Sequence, residues 1–246
     1  MRTASFPTDG HVFFGLLLLA LAAACGSRTS DGVHSSTPGI GTPNLFIRGV
    51  LVPPLRVPET SPCVYASDPN SYDLAVGRLD MALTSRYAPT LLIGNATGAD
   101  GGTDIARMAL TGVDVHITDL GGAAIADVHD DASGFVDGAS GGSPAYAILQ
   151  ATLLDENAVR AATASTARVR VLAHVTALAK DLDGSAVRST PFDFPIDLCR
   201  GCLVVTPPAP ATCAQPPDPR VPVPCVVGQD QIVDCRSCQS NPACRL

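Results

Sequence analysis

The stretch ARVRVLAHVTALA, Ala167 to Ala179, carries the plainest structural instruction in the chain. Ala167, Val169, Val171, Ala173, Val175, Ala177 and Ala179 alternate with Arg168, Arg170, His174 and Thr176, and Lys180 continues the polar phase. A period of two sends successive side chains to opposite faces of a pleated strand, so one face goes into a core and the other into water. Asp183-Gly184 is a hairpin turn signal, returning the chain into Ala186 to Thr190 and then Phe192 to Leu198.

Towards the N terminus the same short apolar runs recur. Ala145 to Leu154 is one; Phe135-Val136 and Ala123 to Val128 are shorter, the latter entered through the turn Gly121-Gly122. Met108 to Asp119 changes phase at Gly112, and Tyr72 to Leu83 changes phase at Gly77-Arg78, where a β-bulge is the simplest account. Pro89 to Asn95 and Leu45 to Val52, closed by Pro53-Pro54, complete the set. Asp155 to Ala164 alone suggests a turn or two of helix. About seven to nine short strands, with turns every 8 to 12 residues or so, predict an all-β fold: an antiparallel immunoglobulin-like β-sandwich over residues 45–198. The helix–strand alternation that a parallel sheet needs is missing.

Ahead of this domain, Val12 to Ala24 contains no charge, and Leu16 to Leu21 is almost all leucine and alanine. The run is shorter than the roughly 20 apolar residues that span a bilayer and has the length of a signal-peptide apolar core preceded by Arg2. Residues 1–24 are therefore expected to be a signal peptide. Its end permits two outcomes: Ala22-Ala23-Ala24 suits simple secretion, whereas Leu21-Ala22-Ala23-Ala24-Cys25 resembles the lipobox of bacterial lipoproteins. In the latter, the cysteine takes a diacylglyceryl group, so lipidation is expected at Cys25, with palmitate as a label. The match departs from the usual pattern in having Ala22 where leucine stands three places before the cysteine.

Residues 26–44, rich in Gly, Ser, Thr and Pro, read as a flexible tether that would reach roughly 60 Å fully extended. Loss of residues 1–24 would remove Arg2 and Asp9, one charge of each sign, and leave the net charge at −7. An acidic chain lacks the basic stripe that phosphates need, so nucleic acid is not an expected partner. Aromatic residues are 4% of the chain and there is no Trp, which disfavours a stacking platform for bases or sugars.

Cysteine and proline crowd the C-terminal 48 residues, 199–246. Cys199, Cys202, Cys213, Cys225, Cys235, Cys238 and Cys244 with Cys63 make eight cysteines if Cys25 carries lipid. Cys199-Arg-Gly-Cys202 and Cys235-Arg-Ser-Cys238 could form a zinc-binding tail, although the 32 residues between them exceed the roughly 15 to 20 of a zinc ribbon. Behind an export signal the thiols are expected to oxidise, which makes all eight disulfide cysteines. The connectivity stays open, but if all eight pair within the chain, Cys63 bonds to the tail.

Gly138-Ala139-Ser140-Gly141-Gly142 has the spacing of a hydrolase nucleophile elbow, and Asp155 and His174 follow in the chain. That elbow lies between a strand and a helix, whereas Ser143-Pro144 and a strand-like run come next here. A flexible turn is the plainer reading, with a secreted serine hydrolase using Ser140 as the alternative. His116 and His174 fall on the polar phases of their strands and His129 in a loop. Asp127, Asp130 and Asp131, or Asp100 and Asp104, read as turn aspartates rather than a calcium loop. No catalytic residue, metal ligand or cofactor is therefore expected.

The phrase PFDFPIDLCRGCL, Pro191 to Leu203, followed by PCVVGQDQIVDC, Pro224 to Cys235, resembles the end of myxobacterial-type lipoproteins with a cysteine-rich C-terminal tail. The resemblance covers roughly residues 45–246 and brings no activity with it. It implies an outer-membrane lipoprotein, periplasmic or surface-facing. Gly26 and Ser27 agree, since neither is the aspartate that retains lipoproteins at the inner membrane of enteric bacteria. The expectation is a non-enzymatic binding or structural module whose partners are the membrane, through its lipid, and an envelope or extracellular protein or glycan.

Overall fold

A computed structural model describes residues 44–56, 63–65, 73–98, 106–164, 168–205, 223–235 and 244. They all belong to one compact unit, Pro38–Leu246. The expected signal peptide, Cys25, Cys213 and Cys238 lie outside the described residues, as do Asp100 and Asp104.

In chain order the elements are β1 (Leu45–Val50), β2 (Leu55–Arg56), β3 (Gly77–Asp80), β4 (Thr90–Asn95), β5 (Met108–Asp119), β6 (Ala124–Val136) and β7 (Ala145–Gln150). Then come α1 (Glu156–Ala162), β8 (Val169–Lys180), β9 (Ala186–Arg188) and β10 (Phe192–Cys199). The tail adds the two-residue strands β11 (Val204–Val205), β12 (Val223–Pro224) and β13 (Val233–Asp234). The fold is all-β. One sheet has the order β1-β4-β7 and the other β3-β10-β8-β5-β6, with β9 also pairing β8.

One apolar core is shared by the two sheets. From the larger sheet, β8 gives Val171, Ala173, Val175, Ala177 and Ala179, each at most 2% exposed, and β5 gives Val113, Val115 and Ile117. Leu45, Ile47, Leu91, Ile93 and Leu149 come from the smaller sheet. β4 is buried along its whole length, as befits the central strand of its sheet. Burial of each such Leu or Ile stabilises the fold by about 1.5–3 kcal/mol, and the alanines of β8 add less.

Bulges and turns fall where the glycines stand. The register of β5 against both neighbours shifts between Leu110 and Gly112. Gly112 has φ +152 and its Cα faces the carbonyl oxygen of Asp130, leaving no space for a side chain. The β5–β6 turn is held by the Asp119 carboxylate, which accepts from the backbone N–H groups of Gly121 and Ala123 at 2.8 and 2.9 Å. Asp155 caps α1 in the same manner, accepting from Ala158 N at 2.7 Å.

Three expectations need correction. First, the sheet is not wholly antiparallel: β10 runs parallel to β3, Ile196 opposite Gly77 through Cys199 opposite Asp80. Pro195 just precedes this pairing, where β10 has only β8 beside it and a missing N–H is tolerated. Second, the strand expected over Tyr72 to Leu83 is only Gly77–Asp80. The buried Asp80 carboxylate accepts from Ala82 N at 3.0 Å and turns the chain. Third, β6 is a single strand of 13 residues, not two short pieces, so His129 lies on a strand and not in a loop.

The tail folds back onto the sandwich by hydrogen bonds. Asp80 also accepts from Gly201 N at 2.7 Å and Leu203 N at 2.9 Å. Gln229 accepts from Ala88 N and donates to Arg86 O, both at 3.0 Å. Asp230, at φ +61, accepts from Arg78 N at 2.7 Å and from the Tyr87 hydroxyl at 3.1 Å. Cys63 is bonded to Cys225, 162 positions away. Cys199 pairs with Cys202 and Cys235 with Cys244.

Candidate functional site

The outer face of β5, β6, β8 and β10 carries the densest chemistry among the described residues. Strand alternation turns Asp114 and His116 of β5 outward, and the same parity turns out Asp127 and His129 of β6. Because β5 and β6 are antiparallel, Asp114 stands opposite His129 and His116 opposite Asp127. Each acid meets an imidazole: His116 Nδ1 lies 2.7 Å from Asp127 Oδ1, and His129 Nδ1 lies 2.7 Å from Asp114 Oδ1.

β8 extends the pattern. His174 stands opposite His116 on one side and Asp193 of β10 on the other. Its Nδ1 is 2.6 Å from Asp193 Oδ1 and its Nε2 is 3.2 Å from Thr118 Oγ1. One row across four strands thus reads Asp127, His116, His174, Asp193. The His116 and His174 rings stack at 5.9 Å with an interplanar angle of 24°. Arg188 of β9 donates to Asp114 at 2.6 Å, and the side chains enclose an open depression of about 600 Å³.

Charge follows from these contacts. An ionised carboxylate can only accept, so it fixes a proton on the Nδ1 it faces, and in the neutral ring the lone pair of His116 and of His174 then lies on Nε2. His129 differs, because Asp131 faces its Nε2 at 3.2 Å. With the Asp114 bond as the largest cause and the Asp131 bond second, its pKa is raised. The bond from His129 likewise holds Asp114 below the usual carboxylate range, with Arg188 contributing. Along the same face Arg170 makes a two-pronged bond to Asp197, at 2.6 and 2.9 Å, which lowers the Asp197 pKa.

The residues of the hydrolase alternative are separately engaged. Ser140 sits in an exposed turn, its backbone exchanging hydrogen bonds with Ser143. The Asp155 carboxylate caps α1, and His174 bonds Asp193 and Thr118. None of these contacts joins one of the three residues to another. Of the turn aspartates, Asp130 accepts from Thr152 N at 2.7 Å and faces Arg86 at 3.6 Å.

Asp114 and Asp193 fall on the polar phases of β5 and β10, and only the register between strands sets them against His129 and His174. Once β6 is recognised as unbroken, Ala126, Val128, Ala132 and Val136 share one parity and Asp127, His129 and Asp131 the other; that was the available signal. Asp130 hides it by placing a carboxylate on the inward parity, where Arg86 and Thr152 satisfy it.

No protein-family model matches this chain, and no curated protein matches it. Among solved structures, the Northeast Structural Genomics Consortium target SoR45, known by X-ray crystallography, is similar over 52% of this chain and 95% of its own, at 14% identity and a TM-score of 0.27.

Proposed function

We propose that the protein is an exported, lipid-anchored envelope protein of the outer membrane, a non-enzymatic binding or structural module held on a tether. The observation that carries this reading is the Cys63–Cys225 bond, which joins a loop after β2 to the tail across 162 positions. Disulfides that close long loops belong to oxidising compartments, in keeping with the apolar leader from Val12 to Ala24 and the lipobox-like Leu21 to Cys25. A lipid-modified Cys25 leaves eight cysteines, an even number. Diacylglycerol supplies two acyl chains, and stable anchoring takes about two hydrophobic signals.

Membrane fractionation with radiolabelled palmitate tests the anchor. The wild-type chain is expected in the membrane pellet and labelled, and Cys25→Ser soluble and unlabelled. Retention of Cys25→Ser in the membrane, with neither protein labelled, would refute the lipid anchor. Export by itself is judged separately, by whether residues 1–24 are absent from the recovered protein.

A further inference from the structure

We propose that His116 and His174 bind one divalent transition-metal ion of the Zn²⁺, Ni²⁺ or Cu²⁺ class through their two Nε2 atoms on the outer face of the larger sheet. The two residues are register partners on adjacent strands. Their rings stand side by side, 5.9 Å between centroids. Each Nδ1 faces its own carboxylate, Asp127 for His116 and Asp193 for His174, on the strand beyond. That arrangement places a proton on each Nδ1 and leaves Nε2 as the ligand atom of the neutral ring, as second-shell carboxylates do for metal-ligating histidines. Imidazole nitrogen suits these three ions.

Both rings line the same open depression on the outer face of the sheet. Among the described residues His174 Nε2 faces only the Thr118 hydroxyl, at 3.2 Å, a neutral donor that an ion can replace. His116 has no partner among the described residues other than Asp127 and the His174 ring. Coordination at about 2.0–2.1 Å per nitrogen requires the rings to tilt towards each other. His116 is 49% and His174 29% exposed, and Asp127 and Asp193, at 83% and 62%, can follow the rings. His129 is not a ligand, because carboxylates face both of its nitrogens. Among the described residues no group of three or more His, Cys, Asp or Glu converges as a metal cage. Among the described residues the two imidazoles are therefore the only ligands, and water or a second molecule completes the shell.

The test is a titration of the purified protein, disulfides intact, with Zn²⁺ alone, read by the imidazole proton resonances and by calorimetry. The expected result is one Zn²⁺ per chain, with the His116 and His174 resonances shifting and those of His129 unmoved. His116→Ala and His174→Ala should each weaken binding at least tenfold. Asp127→Asn should weaken it by about tenfold, the lower end of second-shell effects, and His129→Ala should leave it unchanged. No shift at His116 and His174 in the wild-type protein at millimolar Zn²⁺ would overturn the proposal without any variant. Undiminished affinity in the folded double variant His116→Ala/His174→Ala would also overturn it.

Discussion

His129 shows how a single side chain is set by its strand neighbours. Asp114 and Asp131 face its two nitrogens, so the protonated ring is favoured and its pKa lies above the usual imidazole value. A raised folded pKa means that the ring's contribution to stability is fully present below about pH 6.5, the unfolded value, and is lost as pH rises through the folded pKa. In an NMR titration His129 should therefore titrate later than a free imidazole, and Asp114→Asn should bring its midpoint down. A midpoint unchanged by Asp114→Asn would contradict the assignment of the Asp114 bond as the main cause. Asp80 is a different case, fully buried and accepting from Ala82, Gly201 and Leu203 N–H groups. Asp80→Ala would leave those donors without their acceptor. It should cost about 3 kcal/mol or more in urea unfolding, whereas a loss below ~1 kcal/mol would show the carboxylate to be dispensable.

The strands that could be read from the sequence are those whose two faces differ. β5 matches its expected span, Met108 to Asp119, including the phase change at Gly112, and β8 follows the alternation from Val169 to Lys180. β6 was obscured because Asp130 occupies an inward position, satisfied by Arg86 and Thr152 far along the chain. β3 is shorter than its hydrophobic pattern suggests because Asp80 ends it with a side-chain bond, which no hydrophobic period records. The tail's attachment is equally hidden, since besides Val233, which packs with Leu83, it rests on the polar side chains of Gln229 and Asp230. Burial raises the Asp230 pKa to about 6 and, with Asp230 beside it, pushes the Tyr87 hydroxyl well above its ordinary value.

Asp230 gives the tail a predictable pH response. Its folded pKa lies above the model-compound value of 3.8, so between about pH 4 and 6 the folded state holds the proton more tightly than the unfolded chain. Stability from this group is greatest below about pH 4 and falls as pH rises through about 6, by roughly 3 kcal/mol in all. Asp230→Asn, which keeps hydrogen-bonding atoms and suits a positive φ, should remove that slope. If unfolding free energies of wild type and Asp230→Asn ran parallel from pH 4 to 7, Asp230 would not be the titrating group.

Across the whole molecule, a core built mainly of leucine, valine and alanine is joined to a proline-rich tail that cannot build a sheet interior. Cys63–Cys225 bridges the two. Replacing both cysteines by serine should lower stability by about 2–4 kcal/mol in denaturant unfolding, and an unchanged midpoint would mean that noncovalent contacts alone hold the tail. The all-β architecture was legible from residues 45–198 because strand periodicity is local. The histidine–carboxylate face was only half legible, because it depends on register between strands. Export and anchoring of the stapled sandwich through Cys25 can be read from the intact mass of the native protein without reduction. The expected result is an N terminus at Cys25 bearing a diacylglyceryl group and no free thiol in the chain. An unmodified N terminus ahead of Cys25, with reducible mass unchanged and thiols open to alkylation, would contradict it.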